Sequence, residues 1–416
     1  MNKYQFKKSS DIQARVILYI FTGLIAVSCI INAGFVIAKP AVNKTGSHVV
    51  VSIKNRIINK LITVNNAACI LLDNGKVYCW GEKATGNINL KNMSQVDLGG
   101  SAFAKEIYGV SVDMGEFDTG YHACAILRNN DIRCWGQYID DIFDYEEIFE
   151  KKLQPDSVLS KIPSFKVKDE IVRKMDHPVK IITNAGVVCS INQKNKLFCP
   201  HQHLAFLNGE KDIKSAVFGE VLACLHKISG EVECYDMRGD ADKKAITVSF
   251  NGELSPKQFV SRIIYSWGTC IIDSESQLAC QEGEYSGDTR YSYIYNIETK
   301  KMTLPDKSTS VDIQLTDTHA CVLQSSGNVY CWGNNNKGQL GPVMRKSTTA
   351  GAYVPFPGNR MQFSSGKTVK NMALGHGFSC FHIDNKVECF GQISGAGEDA
   401  GASPVAAQNE KYSNID

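Results

Sequence analysis

Fourteen of the fifteen cysteines in this chain fall into seven pairs: Cys69 with Cys79, Cys124 with Cys134, Cys189 with Cys199, Cys224 with Cys234, Cys270 with Cys280, Cys321 with Cys331 and Cys380 with Cys389. Six pairs are spaced by ten residues and the last by nine; only Cys29 is left over. Folding a pair into a hairpin about its midpoint sets cysteine opposite cysteine. In ACILLDNGKVYCW, Cys69 then faces Cys79, Leu71 faces Val77, and Asp73, Asn74 and Gly75 form the loop. A three-residue hairpin loop places its last residue in the left-handed region, which favours Gly or Asn. The six longer copies offer Gly75, Asn130, Asn195, Gly230, Ser276 and Gly327 there, and five of these fit. The seventh, CFHIDNKVEC, is one residue shorter, so a two-residue Asp384-Asn385 turn keeps Cys380 opposite Cys389.

Strand alternation is an independent check, because residues two apart share a face. Beside the second cysteine of each pair lie Val77, Ile132, Leu197, Val232, Leu278, Val329 and Val387, all aliphatic. Each hairpin is therefore expected to carry its own cross-strand disulfide packed against a buried face. Zinc sites need knuckles two to four residues apart, and redox motifs need C-x-x-C; the pairs match neither pattern. No metal or cofactor is expected.

A chain of 416 residues that is 43% hydrophobic buries a large core without help. Seven disulfides then report an oxidising compartment, which points to periplasm, cell surface or secretion. Residues 1–15 are basic, with Lys3, Lys7, Lys8 and Arg15 against Asp11, and Val16 to Ala38 is an uncharged apolar run. That order is expected of a signal peptide cut after Ala38 or of a retained anchor, with the remainder exported and membrane contact limited to residues 16–38. Residues 39–56 are expected to be a linker and entry strand. Without the first 38 residues the count falls from 45 basic and 43 acidic groups to 41 and 42, a balance that does not attract nucleic acid.

The second cysteines recur at spacings of 55, 65, 35, 46, 51 and 58, and a short apolar alternation precedes each hairpin, as in VDIQL from Val311. Repeats of roughly fifty residues with four strands each describe a propeller, in which one blade cannot bury its faces alone. The stretch HACVLQSSGNVYCWGNNNKGQLG also resembles the repeat of the regulator of chromosome condensation family. His319, Leu323, Gly327, Val329, Trp332, Gly333, Gly338, Gln339, Leu340 and Gly341 carry the match, and partial copies run through Gly75, Val77, Trp80 and Gly81, through His122, Trp135 and Gly136, and through Gly375, Val387 and Gly391. The resemblance implies an all-β, seven-bladed propeller over residues 57–416, closed by joining the tail SPVAAQNEKYSNID to the first blade. The eponymous member is a nucleotide-exchange factor for a small GTPase that binds chromatin, and a secreted bacterial relative inhibits a β-lactamase. Fold transfers across such a family more readily than function.

Catalytic residues do not stand out. There is no Gly-x-Ser-x-Gly elbow, no H-E-x-x-H and no P-loop, and the GDAD around Asp240 and Asp242 is too short for a calcium loop. His122, His319 and His376 recur near the first cysteine of their pairs, as a structural bond needed once per blade would. Two insertions break the period, at about 138–178 and 281–310. The first mixes acidic residues with Phe143, Tyr145 and Phe149, expected as a solvated amphipathic helix or as partner contacts; the second holds Tyr285, Tyr291, Tyr293 and Tyr295, expected as partner contacts or as one face of an outer strand. These residues lead to an expected non-enzymatic, monomeric scaffold that binds a protein partner. An inhibitor of an exported enzyme is the alternative, and an envelope hydrolase or lyase with a site in the central channel is a third. Cell fractionation with N-terminal sequencing is expected to find the body outside the cytosol, beginning after Ala38 if the segment is cut; a cytosolic pool with free thiols would refute export.

Overall fold

The computed structural model describes residues between 48 and 391, leaving out 82–89, 110–120, 138–144, 151–160, 237–244, 251–255, 262–268, 282–295, 342–352 and a few shorter stretches. The strands assemble into seven sheets arranged as a ring of blades. The first blade shows the pattern from axis to rim: Ile58–Val64, Ala67–Leu72, Val77–Gly81 and Leu90–Gln95, each antiparallel to the next. In every blade the second and third strands are the cysteine hairpin.

The hairpins have the expected register. Cys69 pairs with Cys79 and Leu71 with Val77 in the first. Cys124 likewise faces Cys134, Cys224 faces Cys234, Cys270 faces Cys280, Cys321 faces Cys331 and Cys380 faces Cys389. All seven disulfides are formed, that of Cys189 with Cys199 included, and their Cα–Cα distances are 4.0–4.3 Å. The turn explains why. Leu72 N–H donates to Lys76 O, so the pair of Leu71 with Val77 and, two steps further back, that of Cys69 with Cys79 are of the non-hydrogen-bonded kind, whose Cα atoms come closest. The two-residue turn of the seventh hairpin, closed at Ile383 and Lys386, returns its cysteines to the same kind of pair. All six third-loop residues have positive φ, including Ser276 at 65°. The seven aliphatic residues beside the second cysteines are buried, none above 1% exposure.

Apolar side chains collect between blades. Seven clusters each join one blade to the next; Ile62, Val64 and Leu71 of the first blade, for example, meet Ile107, Ala123 and Trp135 of the second. The ring closes through residues 48–52. His48–Ser52 lies outermost on the last sheet, beside Lys386–Gly391, while the innermost strands Ile58–Val64 and Asn371–Gly375 pack together. Closure by the tail was expected instead; the tail lies outside the described residues, and the outer place in the seventh blade is filled by residues 48–52. The propeller thus begins before residue 57, inside the stretch expected to be a linker and entry strand.

Blade three has three strands, Pro178–Ile182, Cys189–Asn192 and Leu197–Phe198, followed by the 3-10 turn Gln202–Leu207. The Asn208 side chain replaces part of a fourth strand, accepting from Cys199 N–H at 2.6 Å and donating to Cys199 O at 3.0 Å.

Gly75 has φ +84°, and an added Cβ would sit 2.7 Å from Phe103 Cβ and 2.9 Å from Ala104 O. Gly75→Ala therefore combines a left-handed alanine with a clash against the next blade, a loss of about 2 kcal/mol or more. Asn74→Ala removes the Asn74 Oδ1 bond to Lys76 N–H at 3.0 Å and is expected to cost about 1 kcal/mol. Denaturant midpoints of the two variants check the order.

Candidate functional site

The central channel is lined by the innermost strands. Five of them carry a bulge in their first turn, between Ile58 and Lys60, Ala104 and Glu106, Pro178 and Lys180, Ile213 and Ser215, and Ser310 and Asp312. The bulged residue is exposed at the channel mouth and the next one is half-buried on the wall. This mouth lies at the hairpin-loop end of the ring, because strand starts bond to loop ends of the blade before: Ala104 N–H donates to Gly75 O, Ile213 N–H to Asn195 O and Val369 N–H to Gly327 O.

Side chains on these strands bridge every junction. Lys60 reaches Glu106 at 2.5 Å and sits 4.3 Å from the Tyr108 ring centroid; the Tyr108 hydroxyl donates to Val179 O at 2.5 Å. Lys180 donates to Lys214 O at 3.3 Å, and Lys214 donates to Lys257 O. Gln258 donates to Asp312 at 2.8 Å, Gln314 to Met372 O at 2.8 Å, and Thr63 to Leu374 O at 2.5 Å, which returns the chain of bonds to the first blade. Both described wall carboxylates are engaged, Glu106 by Lys60 and Asp312 by Gln258 and Gln314.

Charge on the wall is uneven. Burial holds the Lys180 ammonium below its ordinary range, and the positive charges of Lys60 and Lys214 push it the same way. His226 lies beside them, its Nε2 2.9 Å from Pro256 O. Burial lowers its pKa to about 4 against the smaller opposing effect of that bond, with Lys214 and Lys180 adding to the depression.

Two of the three recurrent histidines, His122 and His319, are joints between blades. His319 Nε2 meets Ser379 Oγ at 2.7 Å across the sixth junction, and His122 Nε2 meets Val187 O at 3.3 Å across the second. Among the described residues no group of three or more metal-ligating side chains converges, and no helix is long and apolar enough to cross a membrane; Val16–Ala38, Asp240 and Asp242 lie outside them.

Of the aromatic residues expected at a partner surface, Phe143, Tyr285, Tyr291, Tyr293 and Tyr295 lie outside the described residues, and Tyr145 opens the helical turn Tyr145–Ile148. Phe149 is a correction. It is 1% exposed, bridges to Val167 and packs with Ile148, Phe165 and Met175 between blades two and three. The described part of the acidic insertion is accordingly built into the ring: it contributes the outer strand Phe165–Lys166 and the helix Asp169–Met175, whose Ile171 and Met175 are buried. The channel lysines were missed. Their common signal is the first turn of each inner strand, visible only once the bulge aligns them.

A histidine held neutral in the folded state binds its proton more readily when unfolded, so His226 contributes stability above about pH 6.5 that is lost as pH falls toward about 4. Melting temperatures are expected to drop through that window in the native protein and to drop less in His226→Gln; parallel curves would contradict the buried neutral imidazole.

The regulator of chromosome condensation (RCC1) repeat matches residues 311–339 and, in a second model, 326–381. No curated protein matches the chain. Among solved structures, human WBSCR16 is similar at TM-score 0.51 and 11% identity, over 81% of this chain and 87% of that one. Prp20p from Saccharomyces cerevisiae, described with its binding properties to Gsp1p and histones, is similar at 0.48 and 10%, over 80% and 82%. The ectodomain of the Arabidopsis thaliana receptor kinase ACR4 is similar at 0.43 and 14%, over 82% and 97%. The repeat matches fall on the sixth and seventh blades, and the described residues form a seven-bladed propeller with one disulfide in each blade.

Proposed function

We propose that this chain is an exported, non-enzymatic scaffold whose rigid ring presents loops from one end to a protein partner. The carrying observation is how the two ends of the ring differ. At the hairpin end, the turns between second and third strands are uniformly two or three residues. The long connections leave the opposite end, between Gly109 and Tyr121, Gln137 and Phe165, of which residues 148–150 pack back into the ring, Gln281 and Asn296, and Gly333 and Val354. Loops that vary on a fixed frame are where such frames carry recognition. Tyr285, Tyr291, Tyr293 and Tyr295 fall in the third of these connections, and tyrosine supplies large contact area at low entropic cost.

The cysteines support the export reading. All fourteen are buried and paired blade by blade, an arrangement that a reducing cytosol does not maintain. The wall carboxylates Glu106 and Asp312, the described candidates for an acid or base in the channel, are already committed to neighbouring side chains.

A pull-down with the native protein, repeated after Tyr291, Tyr293 and Tyr295 are changed to alanine, tests the partner surface. Removing tyrosines at a contact centre costs about 2 kcal/mol or more each, so capture should fail while the melting temperature holds. Unchanged capture by the triple variant would remove the tyrosine loop from the surface, and turnover of an envelope polymer by the native protein would overturn the scaffold function.

A further inference from the structure

The mouth of the channel at the hairpin end is basic although the exported body is balanced. At the bulge position and the wall position after it stand Lys60, Lys105, Lys180, Lys214, Lys257 and Lys370, against only Glu106 and Asp312. Half of these lysines have a local use: Lys60 pairs with Glu106, Lys370 lies 3.6 Å from Asp384, and Lys257 donates to Ser276 Oγ at 2.6 Å.

Lys180 and Lys214 differ. Each ammonium donates to one backbone carbonyl of the next blade, and among the described residues neither has a carboxylate within ion-pair reach. An ammonium has three N–H donors, so two on each remain for something else. Their structural task does not require charge either. At the fifth and sixth junctions the same blade-to-blade bridge to a backbone carbonyl is made by neutral Gln258 and Gln314. Placing amines at the third and fourth junctions brings repulsion and desolvation that glutamine would avoid, and Lys180 feels both.

We propose that the channel mouth at blades three and four binds a phosphate-class oxyanion, held by Lys180 and Lys214 with Lys60 beside them. The Lys60 ammonium, held by Glu106, adds positive charge nearby, and Lys180 and Lys214 supply four remaining N–H donors from separate strands. A tetrahedral dianion offers an oxygen to each, whereas one planar carboxylate is satisfied by two. This site is at the end of the ring opposite the tyrosine connection and stands or falls independently of it.

Isothermal titration of the full-length protein with inorganic phosphate and, separately, with glycerol phosphate is the test, at matched chloride concentration. Saturable binding is expected. Lys180→Gln and Lys214→Gln, which keep a donor at the junction as Gln258 and Gln314 do, are each expected to weaken it roughly tenfold or more. Lys370→Gln, whose amine serves Asp384, should bind as the native protein does. Binding of inorganic phosphate alone supports a site for the free ion; binding of glycerol phosphate as well supports a site for the phosphate end of a larger molecule. An acylation footprint read by mass spectrometry adds a measurement that needs no variant: phosphate should slow modification of Lys180 and Lys214 and leave Lys370 unaffected. No saturable binding of either probe, equal affinity in both glutamine variants, or no protection in the footprint would overturn the site.

Discussion

The architecture depends on one contact repeated seven times, the cross-strand cysteine pair at the middle of each blade. Its geometry is controlled by the turn. A loop whose third residue is left-handed closes the ladder on a hydrogen-bonded pair, Leu72 with Lys76 in the first blade, and an odd number of steps back puts the sulfurs on a close pair. Removing one loop residue changes the turn and not the kind of pair, which is why the seventh blade tolerates a spacing of nine. Each such loop constrains the unfolded chain by about 3 kcal/mol in the entropic model. The bonds lie within blades, so they fix the unit and leave its neighbours to other forces.

Those other forces act around the ring. Every apolar cluster draws on two adjacent blades, so no sheet has a core of its own. The hairpin loops take part, since Gly75, Asn195, Ser276 and Gly327 each accept a backbone bond from the start of the following blade. The equivalent strand starts after Asn130 and Gly230 are Pro178 and Pro256, which have no N–H to give. At the second of these the Pro256 carbonyl is used instead, by His226. His319 and His122 make comparable joints on other blades, which explains why histidine recurs without a catalytic role.

Much of this was legible because it is periodic. The cysteine register, the buried aliphatic beside each second cysteine and the left-handed loop residue follow from counting by two along a strand, and even Ser276, a poor residue for the position, adopts it with φ 65°. What failed was aperiodic. Phe149 sits among Glu146, Glu147 and Glu150, which suggested a solvated helix, yet it bridges to Val167 just past the outer strand Phe165–Lys166 and is buried in the core between blades two and three. Residues 48–52 have no cysteine and no repeat motif, so nothing local marked HVVVS as the strand that closes the ring. Blade three hid its missing strand because an asparagine side chain does the work of a backbone.

The channel wall separates what a propeller needs from what this one adds. A ring needs a bridge at each junction, and glutamine, threonine and tyrosine supply neutral ones at the fifth, sixth, seventh and second. At the first, a lysine comes with its glutamate. At the third and fourth, lysines come with carbonyl oxygens only, beside a histidine held neutral. Two unit charges in a medium of intermediate polarity interact by several kcal/mol at contact distance, and the interaction falls only as the inverse of their separation. A fold that solves the same problem without charge at four junctions has no packing reason to accept that repulsion at two, and the electrostatic asymmetry of the wall is the part of this molecule that the propeller architecture leaves unexplained.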